Sequence, residues 1–461
     1  MTSLENYLSD NRNRFESDLF EWLRIPSIGT DSAYDQQTRE AAEWLAEKFR
    51  ALELKTELIE TCGHPLVYAE SPPIEGAPTV LIYGHYDVQP PDPLELWDTP
   101  PFEPSVRDGK VYARGATDDK GQMITHLFAV ESILKTVGEL PVQVKFLIEG
   151  EEESSGAGLK AFLEGEYDDK TPVAEKLAAD IAVISDCSQF GPGQPAITHG
   201  LRGMVHCEIK LTGPARDLHS GCYGGTLNNP ANIITSMLTS LINKQGQIQI
   251  QGFYDDVLEP TDSERALMNQ LEFSESDYAD EMGVSEMAGE VGFGTLERRW
   301  CRPTFDIHGI SSGYSGEGSK TIIPAEASAK FSFRLVPNQD PEKIKRSLQD
   351  WLENLCPVGI EMQLELSKGT PGFLIPLDSP YIGAAKRAIL RGFGTEPVFV
   401  RNGGSLPVVS ALSQVPGVDT LLIGWGQDDD NLHSPNEKFS LADFHLGIKT
   451  SCFLLNEIAS V

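Results

Sequence analysis

Thr79-Val80-Leu81-Ile82-Tyr83-Gly84-His85-Tyr86-Asp87 is the stretch on which the reading of this chain turns. A short apolar run rich in β-formers stops abruptly at a histidine and an aspartate. Pro78 precedes it and Gly84 lets the backbone turn, so it suits a buried parallel strand with polar groups just past its carboxyl end. In open α/β sheets, ligands bind outside those carboxyl ends. By themselves His85 and Asp87 decide little, because a His-X-Asp pair in a loop also serves as a local hydrogen bond. What other segments deliver to the same edge decides.

Four further segments repeat the pattern. Lys110-Val111-Tyr112-Ala113-Arg114 reads as a short strand that delivers Gly115-Ala116-Thr117-Asp118-Asp119-Lys120-Gly121. Residues 123–137 then read as a helix with Ile124, Leu127, Phe128 and Leu134 inward, so an aspartate at that junction could also simply cap the helix. The strand 142–148 runs into Glu149-Gly150-Glu151-Glu152-Glu153, where four glutamates in five residues repel one another unless a cation or protons intervene. Ala182-Val183-Ile184-Ser185 leads to Asp186, and Leu421-Leu422-Ile423-Gly424 leads through Asp428, Asp429 and Asp430 to His433. Upstream, Phe15, Leu19, Trp22 and Leu23 share one helical face, as do Ala41, Leu45, Phe49 and Leu52.

From about residue 197 the pattern changes. Val205, Cys207, Ile209 and Leu211 alternate with polar residues, as do Phe331, Phe333 and Leu335, which marks half-exposed antiparallel strands. Asn229-Pro230 and Asp340-Pro341 open helices, the second with Ile344, Leu348, Leu352 and Leu355 inward. Ile360, Met362, Leu364 and Leu366 make one more strand, and residues 253–300 are acidic and loop-rich with no clear period. The expected fold is a doubly wound, mostly parallel α/β sheet, residues 1–196 and 378–461, interrupted by an α+β domain at 197–377. A chain of 461 residues is long enough for two cores.

Lys and Arg number 37 against 69 Asp and Glu, a net charge of −32. That balance argues against nucleic acid or an anionic membrane as a partner. Seven scattered cysteines without a CxxC pair suggest neither a disulfide framework nor a cysteine zinc site. No signal-peptide pattern stands at the start, and no run approaches the ~18 apolar residues of a membrane span. The expected compartment is the cytoplasm.

Strand ends thus deliver His85, Asp118, Glu152 or Glu153, Asp186 and His433. Imidazoles and carboxylates without thiolates suit a catalytic Zn²⁺ or Mn²⁺ centre. Two histidines and three carboxylates suit two ions bridged by one aspartate, roughly 3.5–4 Å apart. Adjacent glutamates divide the labour: one can bind metal while the other takes a proton.

Gly84-His85-Tyr86-Asp87-Val88-Gln89-Pro90, Thr117-Asp118-Asp119-Lys120-Gly121, Glu149-Gly150-Glu151-Glu152-Glu153-Ser154, Ile184-Ser185-Asp186 and His433-Ser434-Pro435-Asn436-Glu437 together resemble the motif set of the di-zinc M20 peptidase family. The match is closest to its dipeptidase branch and keeps motif order from near residue 15 to the C-terminus. The resemblance implies that Asp118 bridges two metals, with His85 and Asp186 completing one site and Glu153 and His433 the other. Glu152 would be the general base and Asp87 would orient His85. Glu151/Glu152 remains the alternative register, and Asp119 the alternative to Asp118. The inserted domain would be a lid and dimerisation domain, with His219 of Ala215-Arg216-Asp217-Leu218-His219-Ser220-Gly221 reaching the partner subunit's active site. Thr321, Arg334 and the turn Gly403-Gly404-Ser405 match positions that bind a substrate carboxylate; in the turn, Gly404 and Ser405 would offer backbone N–H groups at a helix start. The implied activity is hydrolysis of a dipeptide or small peptide with a free C-terminal carboxylate by a homodimer. An N-acyl-amino-acid deacylase or desuccinylase of the same family is the alternative.

Overall fold

The apolar run forms the strand Thr79–His85 in the computed structural model, which describes residues 3–461 except 155, 167–171, 405 and 413–417. Parallel neighbours hydrogen-bond to it on both sides, Gln143–Glu149 and Ile181–Ile184. Val80, Leu81, Ile82 and Tyr83 are each no more than 1 % exposed. A near-continuous apolar sequence is what a strand covered on both faces requires, and each such side chain contributes roughly 1.5–3 kcal/mol on burial.

Across this sheet the strands run Lys55–Ile59, Leu66–Glu70, Gln143–Glu149, Thr79–His85, Ile181–Ile184, Asp419–Ile423, Ala196–Leu201. The pairings at the centre are parallel and those at both flanks antiparallel. The four central strands point one way, so the segments after them emerge at one edge. Arg12–Leu23 and Asp35–Ala51 form the two expected N-terminal helices, burying Phe15, Leu19, Trp22 and Leu23, and Ala41, Leu45 and Phe49. The helix after the Asp118 junction is Lys120–Thr136. Its single-faced reading was too narrow: every residue from Lys120 to Ile133 is buried, because the helix is packed against both Thr79–His85 and the C-terminal helix Leu441–Ile458, while Leu134 is only half-buried.

The chain divides into two units, one comprising Met1–His199, Ile375–Val400 and Ala411–Val461, the other Gly200–Leu374 and Arg401–Ser410. The second holds an antiparallel sheet ordered Thr304–Ser312, Glu326–Leu335, Gly203–Thr212, Glu361–Leu366. Val205, Cys207, Ile209 and Leu211 join Phe331, Phe333 and Leu335 on its buried face, against Ile234, Met237 and Leu238 of Pro230–Ser240 and Ile344, Leu348 and Leu352 of Pro341–Leu355. Asn229 and Asp340 cap those helices through their side chains. Leu355, expected inward, closes its helix at 42 % exposure.

Residues 253–300, which showed no period, contain the helices Asp262–Met268, Glu275–Met282 and Thr295–Trp300. Each is too short to repeat a hydrophobic face, and local caps start the first two: Thr261 with Glu264 in a capping box, and Ser274 accepting from Asp277. Arg401–Ser410 groups with the second unit through Arg202, whose backbone N–H reaches the carbonyls of Asn402 and Gly404 and whose Nε donates to Gly403 O at 3.0 Å.

Candidate metal centre

All the residues proposed as metal ligands from the sequence lie in the first unit: His85, Glu153 and Asp186 at or just past the carboxyl ends of central-sheet strands, His433 in the loop after Asp419–Ile423, and Asp118 after Lys110–Tyr112, which, against expectation, pairs in a separate antiparallel sheet with Ser105–Arg107 and Lys438–Ser440. Ligand atoms of His85, Asp118 and Asp186 lie within 4.8 Å of one another, and so do those of Asp118, Glu153 and His433. Asp118 is common to both groups: its Oδ1 lies 3.1 Å from His85 Nε2 and its Oδ2 3.0 Å from His433 Nε2. His433 Nε2 is also 3.1 Å from Glu153 Oε1.

Asp87 is completely buried. His85 Nδ1 lies 3.0 Å from Asp87 O and 3.4 Å from Asp87 Oδ1, which leaves Nε2 turned toward Asp118. The same carboxylate accepts from the backbone N–H groups of Glu152 at 3.2 Å and Glu153 at 3.1 Å. One side chain therefore fixes both a histidine and the glutamate pair. Gln89 Nε2 donates to Glu153 Oε2 at 2.9 Å and holds that carboxylate from the other side.

The glutamate run is divided among different partners. Glu149 accepts from the Tyr83 hydroxyl, and Glu151 accepts from Gly158 N at 2.6 Å. Glu153 joins His433, while the Glu152 carboxylate makes no hydrogen bond among the described residues. Asp119 precedes the helix Lys120–Thr136 but makes no capping bond; its Oδ2 accepts from His85 N at 3.3 Å and its Oδ1 has no partner.

The charge arrangement follows from burial. Burial first, then Asp186, Glu153 and Asp118 against the relief of His85, push Glu152 up to about 8. Burial and Asp118 push Asp186 up to about 7. Burial also acts to raise Asp118, but hydrogen bonds from His433 and His85 win and hold it low. Hydrogen bonds to Asp118 and Glu153 lift His433 to about 10. Among the described residues, the cations paired with these carboxylates are the two imidazoles. Closely packed carboxylates, with imidazoles and no thiolate among them, form a donor set that fits divalent cations such as Zn²⁺ or Mn²⁺.

Two buried acids went unrecognised in the sequence. Glu437 accepts from Arg114 Nη1 at 2.8 Å and from the backbone N–H groups of Gly115, Thr117 and Asp118 at 2.9, 3.0 and 3.1 Å. Asp430 Oδ2 accepts from Gln427 N at 2.7 Å and lies 3.0 Å from the Thr117 hydroxyl. Between them, Asn431, His433 and Asn436 all have φ near +60°. Positive φ is uncommon for residues other than glycine, and asparagine and histidine are among those that adopt it most readily. Glu437 and Gln89 stood inside quoted motifs; a polar residue that no local turn requires was the available signal.

The other sequence candidates lie in the second unit. His219 pairs with Ile322 in a short antiparallel ladder, is exposed, and accepts from Gly221 N through Nδ1. Thr321 O accepts from Ser220 N at 3.1 Å, so these two candidates are neighbours. Arg334 lies on Glu326–Leu335 opposite Thr304 and Met204. The Gly404 N–H, expected to be open to an anion, donates to Asn402 Oδ1 at 2.9 Å. Ser405 lies outside the described residues.

Residues 81–457 match the model of peptidase family M20/M25/M40. The chain is 32 % identical to the Cys-Gly metallodipeptidase dug1 of Schizosaccharomyces pombe, covering 100 % of this chain and 99 % of that one. It is 30 % identical to the human Beta-Ala-His dipeptidase, over 99 % of this chain and 92 % of that one. Among solved structures, the M20 metallo-carboxypeptidase Sso-CP2 of Sulfolobus solfataricus superposes with a TM-score of 0.84 at 32 % identity, over 97 % of this chain and 99 % of that one. Both the arrangement of the strand-end residues and these full-length similarities lead to one conclusion: this chain belongs to peptidase family M20/M25/M40.

Proposed function

We propose that the protein is a cytoplasmic, divalent-metal-dependent dipeptidase acting on small peptides with a free C-terminal carboxylate. The observation that carries this reading is the pair of ligand triads sharing Asp118, with Glu152 beside them, its carboxylate without a hydrogen bond among the described residues. His85 and Asp186 would hold one ion, Glu153 and His433 a second, and Asp118 both. Two Zn²⁺ ions suit these donors best, with Mn²⁺ the alternative. When bound, such ions would polarise the scissile carbonyl and lower the pKa of a nucleophilic water toward ~7. Glu152 takes the proton of that water and returns it to the leaving amine. Asp87 keeps His85 oriented and the Glu152–Glu153 backbone fixed.

The resemblance extends the proposal to the second unit. Arg334 and Thr321, with Ser405, would take the substrate carboxylate, while the Gly404 N–H, engaged by Asn402, drops out of that donor set; His219 would stabilise the oxyanion in the partner's site of a homodimer. The relatives' names, two dipeptidases and a metallo-carboxypeptidase, favour a free carboxyl terminus. Seven free cysteines accord with a reducing compartment.

A panel of unblocked dipeptides beside N-acyl amino acids, assayed with Zn²⁺ or Mn²⁺ and after chelation, tests the reading. Dipeptides should be cleaved and chelation should abolish turnover. Hydrolysis confined to N-acyl amino acids would replace it with a deacylase.

A further inference from the structure

His433 stands differently from the other proposed ligands. His85 ends a strand of the central sheet, and Asp186 and Glu153 follow closely on strands of the same sheet. His433 instead sits in the loop between Asp419–Ile423 and Lys438–Ser440, with a left-handed backbone at φ +57°. Something must hold that loop against the Asp118 loop, or the 3.0 Å approach of His433 to Asp118 would not persist.

Glu437 is the residue so placed. It is completely buried, follows His433 by four positions, and divides its two oxygens between two pairs of donors. Oε2 takes Arg114 Nη1 and Gly115 N, while Oε1 takes Thr117 N and Asp118 N. The donors come from residues 114, 115, 117 and 118 of the loop that ends in the shared aspartate, three of them backbone N–H groups, so the carboxylate acts as a template for that loop's backbone. Two contacts continue the seam. Ala113 N donates to Glu437 O at 3.1 Å, and the Thr117 hydroxyl lies 2.7 Å from Lys438 O and 3.0 Å from Asp430 Oδ2. The Arg114 guanidinium, itself 1 % exposed, supplies the countercharge that lets a carboxylate be buried here.

We infer that Glu437 is a positioning residue for the metal centre, setting the separation of His433 from Asp118 and thereby the affinity of the ion held by Asp118, Glu153 and His433. The inference rests on the metal reading proposed above and adds an asymmetry to it. Loosening the seam relaxes the His433 loop, which the ladder of Lys438–Ser440 with Lys110–Tyr112 still anchors, and the Asp118 backbone with it, whereas His85 and Asp186 remain fixed by the sheet. The His433 site should therefore weaken more than its neighbour.

Glu437→Gln tests this at constant volume. The amide NH₂ must face one of the two donor pairs, so two of the four bonds are lost. Stepwise dissociation constants for Zn²⁺ are measured against a chelator series on the whole protein, with His433→Ala identifying which step belongs to which site. Glu437→Gln should weaken the step lost in His433→Ala by about 10- to 100-fold and the other step, which shares Asp118, by clearly less. The visible spectrum of the Co²⁺-loaded variant should change more for the ion of the His433 site than for its neighbour. Should Glu437→Gln not fold, Thr117→Val removes the same seam's hydroxyl at nearly constant volume and should show the same asymmetry in smaller degree. Equal weakening of both steps alongside a lower melting temperature would reduce Glu437 to a structural residue, and unchanged constants would remove its role. Wild type binding no ion would refute the metal reading instead.

Discussion

Asp87→Asn exchanges one carboxylate oxygen for an NH₂ group at a site where both oxygens are accepting. Glu152 N and Glu153 N donate to the two oxygens at 3.2 and 3.1 Å, and His85 Nδ1 lies 3.4 Å from one of them. In either orientation the amide turns an N–H donor toward one of the glutamate N–H groups. A hydrogen bond to a charged group contributes about 1.5–3 kcal/mol, and the abandoned donor, buried with it, costs a further ~1–3 kcal/mol. Part of that cost falls on global stability. The part felt by His85 and the Glu152–Glu153 turn should weaken ion binding and kcat/KM by about 10- to 100-fold. Because Asp87 touches a residue of each proposed site, both ion-binding steps should weaken to a similar degree, unlike the unequal effect expected for Glu437→Gln. The assay pairs a chelator competition with kcat/KM on a dipeptide, in a variant shown to be folded by its near-ultraviolet spectrum. A folded Asp87→Asn protein with wild-type ion affinities and kcat/KM would refute the reasoning.

His126 is buried, donates to or accepts from Ser185 Oγ at 2.7 Å, and is held by burial down to about 3 from an ordinary 6.5. The unfolded chain therefore binds a proton that the native state refuses, and stability falls as pH drops below 6.5, continuing toward 3. Between about pH 7.5 and pH 5 this group alone should cost about 2 kcal/mol, so denaturant midpoints of His126→Gln should fall less over that interval than those of wild type; parallel slopes would disprove it. Arg334 as carboxylate anchor predicts that an amidated dipeptide loses roughly 10²-fold in kcat/KM against its free acid, and that Arg334→Ala shrinks the difference. Equal rates on acid and amide would remove the anchor. For His219 acting in trans, mixing inactive His219→Ala with inactive Glu152→Gln subunits should restore activity in heterodimers, and no recovery in verified heterodimers would place it elsewhere.

The sequence showed most clearly those elements whose burial is periodic. The run 79–85 is near-continuously apolar because both faces of that strand are buried, and the alternation of Val205, Cys207, Ile209 and Leu211 marks a sheet with one buried face. Both patterns repeat within one element, so a local reading detects them. The polar seam could not be read this way. Glu437 binds groups some 320 positions away, and a buried carboxylate leaves no period to find. The engagement of Gly404 N by Asn402 was hidden for a related reason: glycines announce an available turn, while a side chain two residues earlier decides whether its N–H stays open. The all-round burial of Lys120–Ile133 was hidden because its polar members Gln122 and Thr125 bond to buried neighbours, Gln122 with Trp425 N and Gly426 N, Thr125 with Trp425 Nε1. Polar letters there read as a solvent face and are satisfied inside.

Separating proton transfer from ion binding tests the central claim most directly. Metal content and kcat on a free-acid dipeptide should be measured together for wild type, Glu152→Gln and Glu153→Gln. The account predicts that Glu152→Gln keeps two ions per chain yet loses on the order of 10²-fold or more in kcat, while Glu153→Gln binds the ion of the His433 site more weakly. A Glu152→Gln protein that loses an ion, or keeps wild-type kcat with both ions bound, would contradict it.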